Sequence, residues 1–178
     1  DSEPGVGSTF WFSVTMEEGR GDGASAAETP DTTQLVEQLQ ACIGQARILV
    51  VDDEEINREV ATELLKSAGL HTDTAADGIE AVDCLANCPD GYYDMVFMDI
   101  QMPRMNGYDA TRAIRSSARN YCKRVPIVAM TAHVLSGERE QCRRVGMDDY
   151  LSKPLALEAL RDCLDRWVPV TERSEEHT

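Results

Sequence analysis

No stretch of this sequence approaches the roughly 18 uninterrupted apolar residues that a membrane-spanning helix requires, which excludes such a helix within its 178 residues. The opening residues, Asp1 to Gly7, are polar, acidic and glycine-rich, unlike a secretory leader. Basic residues are scarce: Lys and Arg number 17 against 32 Asp and Glu, a formal charge of −15. A chain so acidic is a poor match for a phosphate backbone, so no nucleic-acid partner is expected. Histidine is rarer still, at three, and no histidine cluster accompanies Cys84 and Cys88, the only close pair among six irregularly spaced cysteines. A thiol–imidazole metal site is therefore not indicated. Cys42, Cys84, Cys88, Cys122, Cys142 and Cys163 read as reduced thiols, several of them on buried helix faces. Cytoplasmic is the expected compartment. The chain opens on Asp1 rather than Met, which points to a piece of something longer.

What is present suits one good core, with 42% hydrophobic and 28% charged residues. The negative charge is uneven. Between Arg47 and Trp167 there are 21 acidic and 15 basic residues, whereas the flanks hold 11 acidic and 2 basic. The flanks read as solvated chain. Within them, Phe10, Phe12, Val14 and Met16 alternate as in a strand. Residues 19–45 read as a linker, glycine-rich at first, with a short amphipathic helix expected after an Asp31/Gln34 capping box.

From Arg47 the pattern becomes regular. Strands are expected at Ile48–Val51, residues 70–75, Met95–Met98, Ile127–Met130 and Tyr150–Leu151, each followed by a helical stretch. Ile56, Val60 and Leu64, with Ala61, Leu65 and Ala68, form the expected inner face of the first helix, which stops at Gly69. Five strands alternating with five helices predict a doubly wound α/β fold, a parallel sheet covered on both faces. Ligands of such sheets bind beyond the carboxyl ends of the strands.

At those ends stand Asp52 and Asp53, Asp99, Thr131, and Lys153 followed by Pro154. Any one of them has an ordinary structural use as a cap or a surface charge. Their joint placement at every strand end facing the site favours chemistry. Two carboxylates about 4 Å apart repel by roughly 4 kcal/mol at an effective dielectric near 20, so three together recruit a cation or raise one another's pKa. A hard cation with oxygen ligands fits, Mg²⁺ best if a phosphate joins its shell. Asp99 can then act as a nucleophile forming an acyl-phosphate, while Lys153 and Thr131 bind phosphoryl oxygens.

The run Asp94-Met-Val-Phe-Met-Asp99-Ile-Gln-Met-Pro103-Arg-Met-Asn-Gly107 resembles the phosphorylation segment of response-regulator receiver domains. Val50–Asp53, Ala129–Ala132 and Tyr150–Pro154 resemble the family's other signature segments. The resemblance covers about residues 46–168. It implies a flavodoxin-like sheet of order 2-1-3-4-5 and a phosphoryl group taken from a phosphohistidine onto Asp99. Catalysis would rest on Asp99, Thr131 and Lys153. Mg²⁺ (Mn²⁺ as a substitute) would be held directly by Asp53, Asp99 and the Gln101 carbonyl, and by Asp52 mainly through water. Thr131 and Tyr150 would form the switch pair, the hydroxyl moving toward the phosphoryl group and the ring turning inward. Gln101 and His133 stand where they could reach the attacking water, and the Lys153–Pro154 bond would be cis. Such a domain catalyses its own phosphorylation and dephosphorylation.

Glu3-Pro-Gly-Val-Gly-Ser-Thr-Phe-Trp-Phe12 resembles the last glycine box and final strand of the ATP-binding domain of sensor histidine kinases. Residues 1–18 would then be a remnant of that domain, 19–45 the linker, 46–168 the receiver and 169–178 a tail. The parent would be a hybrid kinase, with ATP bound only by the intact parent and any membrane anchor lying in segments outside this chain. The expected partner is a phosphohistidine donor, either the kinase's histidine-bearing domain or a histidine phosphotransfer protein, with no direct membrane contact by this chain. Other readings stay open: a partner-binding module that ignores phosphorylation, a free-standing regulator, and an Mg²⁺-dependent aspartyl phosphatase of the haloacid-dehalogenase type. The last wants a second Asp where this chain has Gln101.

Overall fold

Apolar residues on both faces of every inner strand dictate a sheet with helices on either side, and the chain folds that way. The computed structural model describes residues 2–3, 7–8, 46–132 and 136–168. Strands β1 (Ser2–Glu3) and β2 (Gly7–Ser8) pair antiparallel as a small hairpin. The rest follows as β3 (Arg47–Val51), α1 (Glu55–Ser67), β4 (His71–Ala75), α2 (Gly78–Asn87), β5 (Met95–Asp99), α3 (Gly107–Arg115), α4 (Asn120–Arg124), β6 (Ile127–Thr131), α5 (Ser136–Val145), β7 (Asp149–Ser152) and α6 (Leu157–Trp167). The five parallel strands are ordered β4-β3-β5-β6-β7, the 2-1-3-4-5 order that the resemblance implied.

Alternation along each strand divides the core. Ile48, Val50, Met95, Phe97, Val128 and Met130 face one side, packed with Ala61 and Leu65 of α1 and Leu160 and Leu164 of α6. Leu49, Val51, Val96, Met98, Ile127 and Ala129 face the other, under Ala81 and Leu85 of α2, Ala110 and Ile114 of α3 and Cys142 and Val145 of α5. Successive residues of a pleated strand must point to opposite faces. Every one of these strand residues is fully buried or nearly so, as parallel strands under two helix layers require.

Two expectations need correction. On α1, Ile56 and Val60 do not face the core: they are 72% and 52% exposed, and Ala61, Leu65 and the following Ala68 are buried instead. The helix carries apolar side chains on more than one stripe, and the small Ala61 is on the stripe that approaches the sheet. Between β5 and β6 the structure also has an extra helix, α4, whose Cys122 is buried. Its single polar turn carries no periodic signal to read. The expected strand around residues 10–16, the helix after Asp31 and the tail beyond residue 168 lie outside the described residues. None of the described helices is long and apolar enough to cross a membrane.

Helix ends set the loops that carry function. Asp77 caps α2, its carboxylate accepting from the backbone N–H of Ile79 (2.8 Å) and Glu80 (3.0 Å). Asn106 caps α3 by accepting from Asp109 N–H at 2.9 Å. Both caps lie near the carboxyl edge of the sheet. Arg104 pairs with the buried Asp77 carboxylate, tying the loop after β5 to the start of α2.

Candidate active site

Sheet register brings the predicted residues to one edge. Val51 pairs with Met98, Asp99 with Met130, and Thr131 with Ser152. Asp52, Asp99, Thr131 and Lys153 therefore end their strands at nearly the same level. Carboxylate oxygens of Asp52, Asp53 and Asp99 lie within 4.8 Å of one another. Asp52 and Asp99 are 1% and 5% exposed, whereas Asp53 opens to solvent. A cleft of about 290 Å³ opens over them, lined by Asp53, Glu54, Asn57, Asp99, Gln101, Thr131 and Lys153 among others.

Lys153 comes from the far side of the sheet. Its ammonium nitrogen is 2.5 Å from Asp52 Oδ2 and 3.1 Å from Asp99 Oδ2. Burial disfavours the lysine charge, yet the hydrogen bonds to Asp52 and Asp99 outweigh it, so its pKa stands above the ordinary lysine value. At Asp99, burial pushes the carboxyl up and the Lys153 ammonium pulls it down, and burial prevails. The Lys153–Pro154 peptide is cis, as the resemblance implied.

Local donors also hold the two buried carboxylates. Asp52 Oδ1 accepts from Glu54 N–H at 2.9 Å and from Asn57 Nδ2 at 3.2 Å, and the Arg58 guanidinium donates to its carbonyl at 2.6 Å. Asp99 Oδ1 accepts weakly from Gln101 N–H at 3.3 Å. Three carboxylates facing one ammonium leave an excess of two negative charges if all are ionised. With oxygen donors and an open side at Asp53, that set suits a hard divalent cation, so the cluster could hold a metal ion.

Backbone packing fixes where Asp99 stands. Gly107 passes so close to β5 that an added Cβ would meet the Asp99 carbonyl oxygen at 2.2 Å. Its N–H donates to the Ile100 carbonyl at 2.9 Å. Only glycine permits that approach.

The predicted residues do not all behave alike. Asp52, Asp53, Asp99, Gln101, Thr131 and Lys153 come together around the cleft. Tyr150 does not line it: the ring is half-buried on β7, beneath the Arg139 guanidinium, whose carbon lies 4.3 Å from the ring centroid. His133 lies outside the described residues. Two residues at the site escaped the sequence reading. Asn57 reaches back from the first turn of α1 to Asp52, five residues earlier. Glu138, on α5, accepts the Thr131 hydroxyl at 3.0 Å, and no sequence pattern announces that contact.

Comparison with known proteins fits this geometry. The profile of the response regulator receiver domain matches residues 48–165. Hybrid signal transduction histidine kinase K of Dictyostelium discoideum is 30% identical over 94% of this chain and 14% of its own length. The chain spans only 4–16% of the length of such curated relatives. Among solved structures, the receiver domain of sensor histidine kinase PA1611 from Pseudomonas aeruginosa, with magnesium coordinated in its active-site cleft, is 41% identical. It covers 70% of this chain and 98% of its own, with a TM-score of 0.63. The receiver domain of Ssk1 from Saccharomyces cerevisiae, solved with the histidine phosphotransfer protein Ypd1, is 30% identical, covers 70% and 89%, and has a TM-score of 0.62. Sheet order, acidic edge and matched residues agree: this chain belongs to the response regulator receiver domain family.

Proposed function

We propose that Asp99 accepts a phosphoryl group from a phosphohistidine. The observation that carries this is the meeting of three carboxylates within 4.8 Å with an ammonium 3.1 Å from Asp99. In the step, an Asp99 carboxylate oxygen forms a bond to phosphorus while the phosphorus–nitrogen bond of the donor breaks. The product is an acyl-phosphate, and the imidazole leaves with its electron pair. Lys153 would pair with a phosphoryl oxygen, and Thr131, once it leaves Glu138, would donate to another. Asp52, Asp53, Asp99 and the Gln101 carbonyl would hold Mg²⁺, or Mn²⁺ in its place. When bound, the ion neutralises charge spreading over the phosphoryl oxygens. Tyr150 would be the second member of the switch, and Gln101 and His133 would influence hydrolysis.

The relatives support a hybrid kinase as parent, because similarity to one of them extends over 94% of the chain, beyond residues 48–165. Residues 46–168 are then the receiver, 1–18 the end of the ATP-binding domain, 19–45 a linker and 169–178 a tail. The parent would be the part that binds ATP, and the receiver would work in the cytoplasm. The donor is a histidine-bearing kinase domain or phosphotransfer protein. Its docking face is the exposed apolar pair Ile56 and Val60, next to a groove of about 160 Å³ lined by Val60, Met130, Pro154 and Leu155 and reaching Asp52 and Lys153.

The test is intact-mass spectrometry after incubation with acetyl phosphate and Mg²⁺, with an Asp99→Asn variant and a chelated sample alongside. Gain of one phosphoryl mass in the Mg²⁺ sample alone, lost in the variant, is the expected result. No gain, with binding of a histidine-bearing domain retained, would replace this reading with a partner-binding module.

A further inference from the structure

Adjacent residues of α5 touch both members of the Thr131/Tyr150 pair. Glu138 Oε2 accepts the Thr131 hydroxyl at 3.0 Å. Arg139 lays its guanidinium 4.3 Å from the Tyr150 ring centroid, within the range of a cation–π contact. A threonine hydroxyl has one proton to donate. While Glu138 holds it, it is not available to a phosphoryl oxygen on Asp99, and both acceptors are anionic. Beside the ring, a cavity of about 140 Å³ between α5 and β7 is lined by Arg139, Cys142, Met147 and Tyr150, so the aromatic side chain has free volume next to its present position.

We propose that Glu138 and Arg139 are positioning residues, a latch on α5 that holds Thr131 and Tyr150 in the unphosphorylated arrangement and sets how firmly a phosphoryl group is retained on Asp99. The inference rests on the phosphoacceptor reading above. Phosphorylation must take the Thr131 proton from Glu138, and the two latch residues share one helical turn. Release of one contact therefore loosens the other, which links the hydroxyl to the ring without a direct bond between them.

The latch opposes phosphoryl binding, so removing it should strengthen that binding. The experiment measures affinity of the whole chain for beryllium trifluoride, a phosphoryl mimic, in the presence of Mg²⁺. Glu138→Ala should bind about tenfold more tightly than the parent, since a charge-assisted hydrogen bond no longer competes. Glu138→Gln, which preserves shape, should fall between. In a Thr131→Val background the effect of Glu138→Ala should vanish, a dependence that a merely structural role for Glu138 would not show. Unchanged or weaker binding by Glu138→Ala, or a gain that persists without the Thr131 hydroxyl, would overturn the latch. If the parent chain binds no mimic, the phosphoacceptor reading has failed. The latch is then read from the Tyr150 ring resonances without mimic: Glu138→Ala and Arg139→Ala should both shift them, and resonances unmoved by Glu138→Ala overturn it.

Discussion

The Lys153 ammonium bridges Asp52 and Asp99, 2.5 Å from one carboxylate and 3.1 Å from the other, joining the ends of neighbouring strands β3 and β5 from a loop beyond β7. The same nitrogen that would bind a phosphoryl oxygen therefore also competes with any cation for the carboxylates. Lys153→Met keeps the length of the side chain and removes the charge. Mg²⁺ should bind this variant at least tenfold more tightly, ~1.4 kcal/mol, as read by titration calorimetry. Phosphoryl uptake from acetyl phosphate should drop sharply in the same protein. Weaker Mg²⁺ binding would mean that the ammonium matters more for orienting Asp52 than as a competing charge.

Gly107 is the position where least can change. A Cβ there would sit 2.2 Å from the Asp99 carbonyl oxygen and 3.0 Å from Ile100 Cα, and both contacts are to backbone that cannot rotate away. Gly107→Ala should lower stability by ~1–3 kcal/mol, the usual cost of overpacking, measured by urea denaturation. By pushing on Asp99, the proposed nucleophile, it should also slow phosphorylation. A midpoint equal to that of the parent would show that β5 yields more easily than its burial suggests.

The strands were legible because parallel strands buried on both faces must be short apolar runs, and Ile48–Val51 and Ile127–Met130 are such runs. The site was legible because strand ends in this topology converge, so Asp52, Asp99, Thr131 and Lys153 could be joined across a hundred residues. Periodicity failed on α1. Ile56 and Val60 keep helical spacing with Leu64, yet the sheet takes the Ala61–Leu65 stripe, and spacing alone cannot say which stripe packs. The Thr131–Glu138 bond was illegible for another reason. It joins the end of β6 to α5, and no pattern of residue types specifies such a contact.

Alkaline pH should destabilise the fold, and Cys163 supplies one measurable share. Burial, with Asp149 adding to it, pushes this thiol up to about 12 from an ordinary 9.0. Below pH 9 both folded and unfolded states keep the proton, so the stabilisation is fully present. Above it the unfolded chain ionises while the folded one does not, and stability falls by about 1.4 kcal/mol per pH unit for this group until the folded thiol titrates too. Cys84, Cys88 and Cys142 are shifted the same way, mainly by burial, so they add to the slope. Urea unfolding between pH 7.5 and pH 10.5, as approximate limits, should show the loss, and Cys163→Ala should make it shallower. Parallel curves for the two proteins would remove Cys163 from the account.

Exposure of Ile56 and Val60 gives the most direct check on how the domain would meet the proposed donor. At 72% and 52% exposed they contribute little to the core, so Ile56→Ser with Val60→Ser should change stability by no more than about 0.5 kcal/mol, as surface substitutions do. Acetyl phosphate is small and needs no docking face, so its reaction at Asp99 should proceed at the parent rate. A phosphohistidine presented on a folded domain must bury surface beside the cleft, and there the double variant should lose about tenfold or more in transfer rate. The outcomes separate cleanly. Equal loss with both donors would mean that the substitutions disturb the carboxylates through Asn57, which lies between them on α1. No loss with either would move the docking face elsewhere on the rim of the cleft.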